Sequence, residues 1–215
     1  MTQLFLRNKE MKSVFQLLGE HENDISYSVA WGLSQCPSFL SVFLSNAIQW
    51  VGSIDEVEIR MQHYDKGKGF TDIEIQLQDE FHLIIEAKRG WNLPSDAQLQ
   101  KYATRDYFIK SSCPIKRLIV LSECSKDYAE HRLPKSVNGI QVDILSWKDI
   151  YQYSKTAYSN STHAGKRLLL ELNTYLGGLM TMQKLDSNLV YVVSIGSGFP
   201  KGWSISWRDI IRVRS

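Results

Sequence analysis

The sequence carries its clearest structural signal in TDIEIQLQDEFHLIIEAK, residues 71–88. Polar and apolar side chains alternate through residues 72–77, and this period of two is typical of a β-strand with one buried face. Residues 81–87 form a more continuously apolar run, as expected of a strand covered on both faces. Residues 78–80 are polar and can reverse the chain between the two strands. The stretch therefore predicts a β-hairpin in the interior of a sheet.

Helices are predicted on the N-terminal side of this hairpin. Apolar residues recur at steps of three and four in residues 9–18 and 24–33, and Pro37 separates the second segment from a third, residues 39–48. The first fifty residues are thus predicted to be helical. Residues 57–61 alternate with period two and add a strand directly before the hairpin.

Further helices and strands are predicted after the hairpin. They are a helix that starts near Pro94, strands at 117–122 and 140–145 with an Asn138-Gly139 turn before the second, a helix capped by Ser146, a helix at 163–176 closed by Gly177-Gly178, a strand at 189–195 and a loop at 196–202. Residues 206–210 resemble residues 146–150 and predict a second capped turn from strand to helix.

This order of elements predicts an α/β fold with a mixed central β-sheet flanked by helices, in the order αβββαβ. We expect residues 1–50 to pack on a core formed by residues 51–155, and residues 156–215 to extend the same domain as a helix and a strand. No stretch is rich enough in Pro, Gly or Ser to require a linker between separate domains.

Composition excludes several classes of protein. The 215 residues are 43% hydrophobic and 22% charged, as in globular proteins, and carry a formal net charge of +2. Three cysteines without close paired spacing indicate neither a zinc site nor a disulfide framework, and predict a reducing compartment. The N-terminus lacks the apolar core of a signal peptide, and no apolar run approaches the length of a membrane span. We therefore expect a cytoplasmic protein with no membrane partner.

Three side chains of the hairpin are candidates for chemistry. Glu86 and Lys88 are two residues apart on one strand and project to the same side, and the hairpin can bring Asp72 close to them. Charged groups within an apolar strand cost several kcal/mol unless they are paired, so a functional reason is expected. Two carboxylates suit a hard cation such as Mg²⁺, and a lysine can polarise water or offset developing charge.

These residues resemble the PD-(D/E)XK nuclease superfamily, in which an acid on one strand is followed by acid-any-lysine on the next. Asp72 matches the first acid, although Thr71 stands where proline is frequent, and Glu86-Ala87-Lys88 matches the rest. The resemblance implies a restriction-endonuclease-like core, metal ligands from both acids and the Ala87 carbonyl, and Mg²⁺ or Mn²⁺ as cofactor.

The following helix extends the resemblance. Gln98 and Tyr102 are similar to the Q-x-x-x-Y element of the branch that includes lambda exonuclease and the RecB nuclease domain, which implies that they belong to the catalytic site. That branch often adds an early acidic ligand, for which Glu22 is the best match, with its neighbours Glu20 and Asp24 as alternatives. The implied function is hydrolysis of DNA phosphodiester bonds in host defence (including antiviral defence), restriction or repair.

Basic residues near these positions are candidates for phosphate contacts. They are Lys66, Lys68, Arg89, Lys101 and Arg105, each of which a solvated surface would explain equally well. Residues 201–214 are also basic and contain two tryptophans, which fits nucleic acid, a partner surface or a core. DNA is the expected partner, and a protein partner or a homodimer is left open.

Two alternatives to a deoxyribonuclease remain open. The first is a nucleic-acid or protein interaction module that keeps the fold and retains Glu86 and Lys88 as a structural ion pair. The second is a different metal-dependent phosphoesterase that acts on RNA or nucleotides, such as an RNA-directed phosphodiesterase. Metal binding distinguishes the first alternative, and a panel of substrates distinguishes the second. The five histidines are scattered and indicate neither a zinc cluster nor a nucleophile pair.

Overall fold

A computed structural model describes residues 3–7 and 9–196. It confirms the predicted fold class: a six-stranded mixed sheet is flanked by helices. The elements are β1 (Leu4–Leu6), β2 (Lys9–Met11), a 3-10 helix (Val14–Leu17), α1 (Glu22–Gln35), α2 (Pro37–Ile48), β3 (Glu58–Asp65), β4 (Gly69–Leu77), β5 (Phe81–Ala87), α3 (Asp96–Ala103), α4 (Asp106–Lys110), β6 (Ile115–Ser122), α5 (Lys126–Glu130), β7 (Ser136–Val137), β8 (Ile140–Ser146), α6 (Trp147–Ser159) and α7 (His163–Gly196).

The central sheet has the strand order β3-β4-β5-β6-β8-β7. The pairs β3–β4 and β4–β5 are antiparallel, and the register Leu77↔Phe81 confirms the predicted hairpin. The pairs β5–β6 and β6–β8 are parallel, so the chain must cross over between their strands. Helices α3 and α4 lie in the first crossover, which places them directly after the end of β5.

Strand β5 lies at the centre of the sheet, and all seven of its residues are buried. Helix α1 packs on β3, β4 and β5. A core that contains Ile84 joins the sheet to Leu99, Tyr102 and Phe108 of α3 and α4. Helices therefore cover both faces of β5, which explains why its sequence is a continuous apolar run. Charged Glu86 and Lys88 at the end of this strand depart from that pattern.

The prediction of a helix over residues 9–18 is wrong. β1 and β2 pair as an antiparallel hairpin, and only Val14–Leu17 form a 3-10 turn. The Ser13 side chain caps that turn, and the side chain of Gln16 accepts a hydrogen bond from the backbone N–H of Ser13. This capping box starts a short helix locally. Two apolar residues three apart in so short a turn mimic the spacing of a longer helix. The predicted second and third helices are confirmed as α1 and α2.

The predicted end of the last helix is also wrong. Helix α7 runs through Gly177 and Gly178 to Gly196, so residues 189–195 are helical and do not form the predicted strand. A glycine in a helix interior costs only about 1 kcal/mol, which neighbouring helical residues can offset. Most of the predicted loop at 196–202, the motif at 206–210 and the basic segment 201–214 lie outside the described residues.

The chain divides into two compact units, Met1–Gly177 and Gly178–Ser215. Every side chain discussed below belongs to the first unit. The division into residues 1–50, 51–155 and 156–215 stays a prediction. Among the helices in the described part of the chain, none has both the length and the apolar character that crossing a bilayer requires.

Candidate active site

The carboxylate of Asp72 binds directly to the end of β5. Its Oδ2 accepts a hydrogen bond of 2.8 Å from the backbone N–H of Ala87, between Glu86 and Lys88. Its Oδ1 accepts a bond of 3.1 Å from the side chain of Gln62 on β3. The hairpin therefore brings together the acid of one strand and the acid-any-lysine segment of the next.

The carboxylate of Glu86 is almost enclosed, with 3% of the residue exposed. Gln98 Nε2 donates to Oε1 at 2.5 Å, and Tyr102 Oη donates to Oε2 at 2.5 Å. Gln98 and Tyr102 also bind each other at 3.0 Å, because residues four apart share one face of a helix. The Ser95 side chain caps α3 by accepting from the backbone N–H of Gln98. This cap fixes the start of the helix, and from that start the side chains of Gln98 and Tyr102 both reach Glu86.

Lys88 links this cluster to helix α1. Its Nζ lies 2.5 Å from Glu86 Oε1 and 3.1 Å from Glu22 Oε1. The backbone of Lys88 is held on both sides, since its N–H donates to the Leu121 carbonyl at 2.7 Å and its carbonyl accepts from Trp147 Nε1 at 3.0 Å. The ammonium group thus has a defined position at the end of the central strand.

The two carboxylates resist being charged together. Burial, and after it the charge of Asp72, raise the pKa of Glu86 to about 7, against the opposing effect of bonds from Lys88 and Tyr102. Burial also raises the pKa of Asp72, against the bond from Ala87. Burial lowers the pKa of Lys88, but Glu86 and Glu22 outweigh it and the net direction is upward. Lys88 is therefore a permanent cation at neutral pH.

This donor set fits a magnesium-type cation. Two carboxylates whose pKa values are raised by burial gain most from a cation that neutralises both. In the described residues, no group of three or more His, Cys, Asp or Glu side chains is arranged to hold a metal ion. Mg²⁺ typically uses only one or two carboxylates together with waters and a substrate phosphate. Asp72, Glu86 and the Ala87 carbonyl would hold it.

Glu22 occupies a different position from that of a simple third ligand. Its Oε1 binds Lys88, and its Oε2 accepts a bond of 3.0 Å from the backbone N–H of Arg89. Its charge also raises the pKa of Asp72, so Glu22 lies beside the pair of carboxylates formed by Asp72 and Glu86, hereafter the acid cluster. In the structure Glu22 orients Lys88, and its role as a metal ligand stays a prediction.

The five predicted phosphate contacts differ in what they bind. Lys66 and Lys101 are exposed, while Lys68 Nζ donates to Thr104 Oγ1 at 2.7 Å. Arg89 Nε lies 3.0 Å from Glu123 Oε1. Arg105 is fully buried, at 0% exposure, so it is not available to a phosphate in this structure. Its guanidinium instead donates to the backbone carbonyls of His63 and Gly69 in the β3–β4 hairpin.

A second buried charged cluster surrounds Glu74 and was not found from the sequence. Thr71 Oγ1 and Tyr107 Oη donate to Glu74 Oε1 at 2.7 and 2.6 Å, and His63 Nδ1 lies 3.0 Å from Oε2. His82 Nε2 is 3.5 Å from Oε2, although neither ring nitrogen of His82 makes a well-directed hydrogen bond within the described chain. The period of β4 and β5 places Glu74 and His82 on the same face, which is the signal that could have indicated it.

Arg105 supplies the positive charge of this second cluster. Its Nη1 donates to Tyr107 Oη at 3.0 Å, and Tyr107 donates to Glu74, so the tyrosine hydroxyl forms a relay between the guanidinium and the carboxylate. Arg105 Nη2 donates to the Gly69 carbonyl at 2.9 Å, and its guanidinium carbon lies 5.2 Å from the centroid of the Tyr102 ring. The second cluster thus fixes both the β3–β4 hairpin and the tyrosine that binds Glu86.

Acid unfolding should reveal the charge of Glu74. Burial would raise the pKa of this carboxyl, but His82, Tyr107 and His63 hold it at about 2 against an ordinary 4.5. A lowered folded pKa stabilises the protein above the unfolded pKa, and this stabilisation is lost as the pH falls from 4.5 towards 2. We expect the difference in unfolding free energy between the parent and Glu74→Gln to shrink over that range. Urea titrations at a series of pH values measure it, and a difference independent of pH would contradict it.

Gln62 is another site residue that the sequence analysis missed. It lies opposite Asp72, between the pairs Met61↔Ile73 and His63↔Thr71, and its φ of 49° is in the left-handed region. Non-glycine residues in that region carry backbone strain that surrounding contacts must offset, and such residues concentrate at functional sites. The hairpin register predicts that residue 62 faces residue 72, so counting along the strands could have found it.

Comparison with known proteins gives no relative at a significant level: no family model, no curated protein and no solved structure matches the chain.

Proposed function

We propose that this protein is a divalent-metal-dependent nuclease that hydrolyses DNA phosphodiester bonds. The observation that carries the proposal is the meeting of Asp72, Glu86 and Lys88 at the end of the central strand, with Gln98 and Tyr102 bound to Glu86. The order and spacing of these residues are those of the PD-(D/E)XK nucleases with a Q-x-x-x-Y helix. The proposed setting is cytoplasmic, in host defence, restriction or repair.

Each side chain has a distinct part in this proposal. Asp72 and Glu86 would bind the metal, and Gln98 and Tyr102 hold the Glu86 carboxylate in one orientation by donating to different oxygens. A bound Mg²⁺ or Mn²⁺ supplies Lewis acidity towards the phosphate and lowers the pKa of coordinated water. Pre-orientation matters because the fixed donors need no reorganisation as charge develops.

Lys88 acts as a fixed positive charge. Glu86 and Glu22 lie 2.5 and 3.1 Å from its ammonium group and favour its charged form. A held ammonium group can orient the attacking water by donating to it, and can stabilise negative charge on the phosphoryl oxygens. Glu22 assists by binding the other side of the ammonium group.

Substitution of Lys88 by alanine is expected to reduce cleavage by about a hundredfold or more while leaving metal and DNA binding nearly intact. Lys88→Arg should not restore activity, since guanidinium is planar and bulkier. Single-turnover cleavage of labelled duplex DNA, single-stranded DNA and RNA in Mg²⁺ and in Mn²⁺ measures this, with EDTA as the metal-free control. Exposed Lys126 offers a matched control, and Lys126→Ala should cleave like the parent. Full activity in Lys88→Ala would exclude this role.

A non-catalytic interaction module is the second candidate, and one observation favours it. Glu86 and Lys88 form a close pair of 2.5 Å, and Gln98 and Tyr102 complete the hydrogen bonding of Glu86. Such a pair could be retained for structure alone. The same cleavage panel separates the two candidates, because a module would bind DNA without cutting any of the substrates. Cleavage of RNA alone would instead identify an RNA-directed phosphodiesterase.

A further inference from the structure

Exposed aromatic rings flank the acid cluster on both sides along the chain. Trp91 follows Lys88 by three residues and is 59% exposed. Phe70 precedes Asp72 by two residues and is 55% exposed, and its neighbour Tyr64 is 56% exposed. Rings of this size contribute large burial energies in a core, so several exposed rings beside one candidate site indicate a surface with a ligand.

The loop that carries Trp91 is firmly held. Glu22 accepts from the backbone N–H of Arg89 at 3.0 Å, and Glu123 accepts from the N–H of Gly90 at 2.7 Å. Ser122 Oγ donates to the carbonyl of Asn92 at 3.1 Å, on the other side of the tryptophan. The backbone around Trp91 is therefore fixed before any ligand arrives, which reduces the entropy lost on binding.

The ring of Trp91 contacts its support without being covered by it. It meets Tyr128 edge-on, with centroids 4.9 Å apart and ring planes at 74°. The guanidinium of Arg132 lies 3.8 Å from the centroid of Tyr128, so a positive charge stands next to this aromatic pair. An exposed indole whose neighbouring tyrosine carries a cation on its face is suited to a base with its attached phosphate.

Tyr64 and Phe70 form the second aromatic surface. They face each other across the β3–β4 hairpin, with ring centroids 4.9 Å apart. The carbonyl of Phe70 lies 3.1 Å from the hydroxyl of Tyr102, which binds Glu86, so this pair is tied directly to the acid cluster. The turn between them carries exposed Lys66 and half-buried Lys68, which add positive charge.

We propose that the acid cluster receives nucleic acid with unpaired bases, and that these bases stack on Trp91 and on the Tyr64–Phe70 pair. The lysines beside Phe70 and Arg132 beside Tyr128 complement the phosphates of the same strand. Paired bases in a duplex hide their faces in the stack, whereas a single strand offers every face to an aromatic ring. The inference names the substrate class of the proposed nuclease and so rests on that function for its chemistry, but stacking itself requires no cleavage.

Binding without cleavage tests this inference. Fluorescence anisotropy in Ca²⁺ compares three labelled probes of about 20 nucleotides: a thymidine strand, an abasic deoxyribose-phosphate strand and a duplex. The parent chain should bind the thymidine strand at least about tenfold more tightly than the abasic strand, the scale of one or more base–aromatic stacks. Trp91→Ala and Phe70→Ala should each weaken binding of the thymidine strand by about tenfold and leave binding of the abasic strand unchanged.

Two variants serve as controls. Trp91→Phe keeps a flat ring and should retain most of the affinity. Trp31 on α1 is 52% exposed and lies nine residues after Glu22, about 14 Å along the helix, so Trp31→Ala should bind like the parent.

The outcomes separate this inference from the proposed function. Equal affinity for thymidine and abasic strands, tighter binding of the duplex, or unchanged binding in Trp91→Ala and Phe70→Ala would overturn the inference even if the parent cleaves DNA. Failure of the parent to bind any strand would overturn it as well. Base-dependent binding without cleavage would support the inference and contradict the proposed nuclease activity. If the parent binds none of the probes but binds a protein tightly, these rings form a protein interface and the inference is overturned.

Discussion

Replacing Glu86 by glutamine is expected to abolish divalent-metal binding and to lower cleavage by at least about a thousandfold, because one of two anionic ligands is lost. The shape of the side chain is preserved, and its amide oxygen can still accept from Tyr102 or Gln98. Burial disfavours the Glu86 charge, so its removal should not lower the unfolding free energy much. Calorimetric titration with Mn²⁺ and single-turnover cleavage measure both effects on the same preparation.

A matched carboxylate provides the control for this substitution. Glu130 has an exposed side chain on α5, where it pairs with Lys126, and Glu130→Gln should bind Mn²⁺ and cleave DNA like the parent. Retained Mn²⁺ affinity in Glu86→Gln would remove Glu86 from the metal site. Loss of binding together with loss of the folded state would instead assign Glu86 a structural role.

Arg105→Met should be the most destabilising substitution of a charged residue in this unit, lowering the unfolding free energy by about 3–5 kcal/mol. Methionine retains an apolar stem but removes the donors that hold Tyr107 and the Gly69 carbonyl. It also removes the permanent positive charge that is linked to buried Glu74 through the Tyr107 hydroxyl, which costs more than the loss of the bonds themselves. Chemical denaturation of the parent and the variant measures the difference.

The two partners of the relay allow a sharper test of the same prediction. Adding Glu74→Gln to Arg105→Met removes the uncompensated charge, so the double variant should recover part of the lost stability. Arg60 on β3 pairs with Glu58 at the surface, and Arg60→Met should cost no more than about 1 kcal/mol. A similarly small loss for Arg105→Met, or strictly additive losses in the double variant, would contradict the buried relay.

The central hairpin and the candidate site could be predicted because both depend on local periodicity. Alternation within residues 72–77 marks a strand with one polar face, and the short turn before Phe81 leaves one way to pair the strands. A spacing of four residues places Gln98 and Tyr102 on one helical face, and the structure directs both to Glu86. Both predictions follow from spacing within a short stretch of sequence and do not depend on contacts between distant segments.

The remaining features depend on contacts between distant segments. Arg105 lies between two short helices, where a sequence reader expects an exposed side chain, and its burial follows from closure of the β3–β4 hairpin over it. The bonds from Trp147 to the Lys88 carbonyl and from Glu123 to Gly90 join residues that are remote in the sequence. No pattern within a short window reports such pairs.

The most direct test of the proposed metal centre is the anomalous diffraction signal of a crystal grown with Mn²⁺. We expect one strong peak within about 2.0–2.2 Å of a carboxylate oxygen of Asp72 and of Glu86, and close to the Ala87 carbonyl. The peak should be missing from crystals of Glu86→Gln grown under the same conditions. A parent crystal with no peak there, in which Lys88 pairs directly with Glu86, would contradict the proposed metal centre.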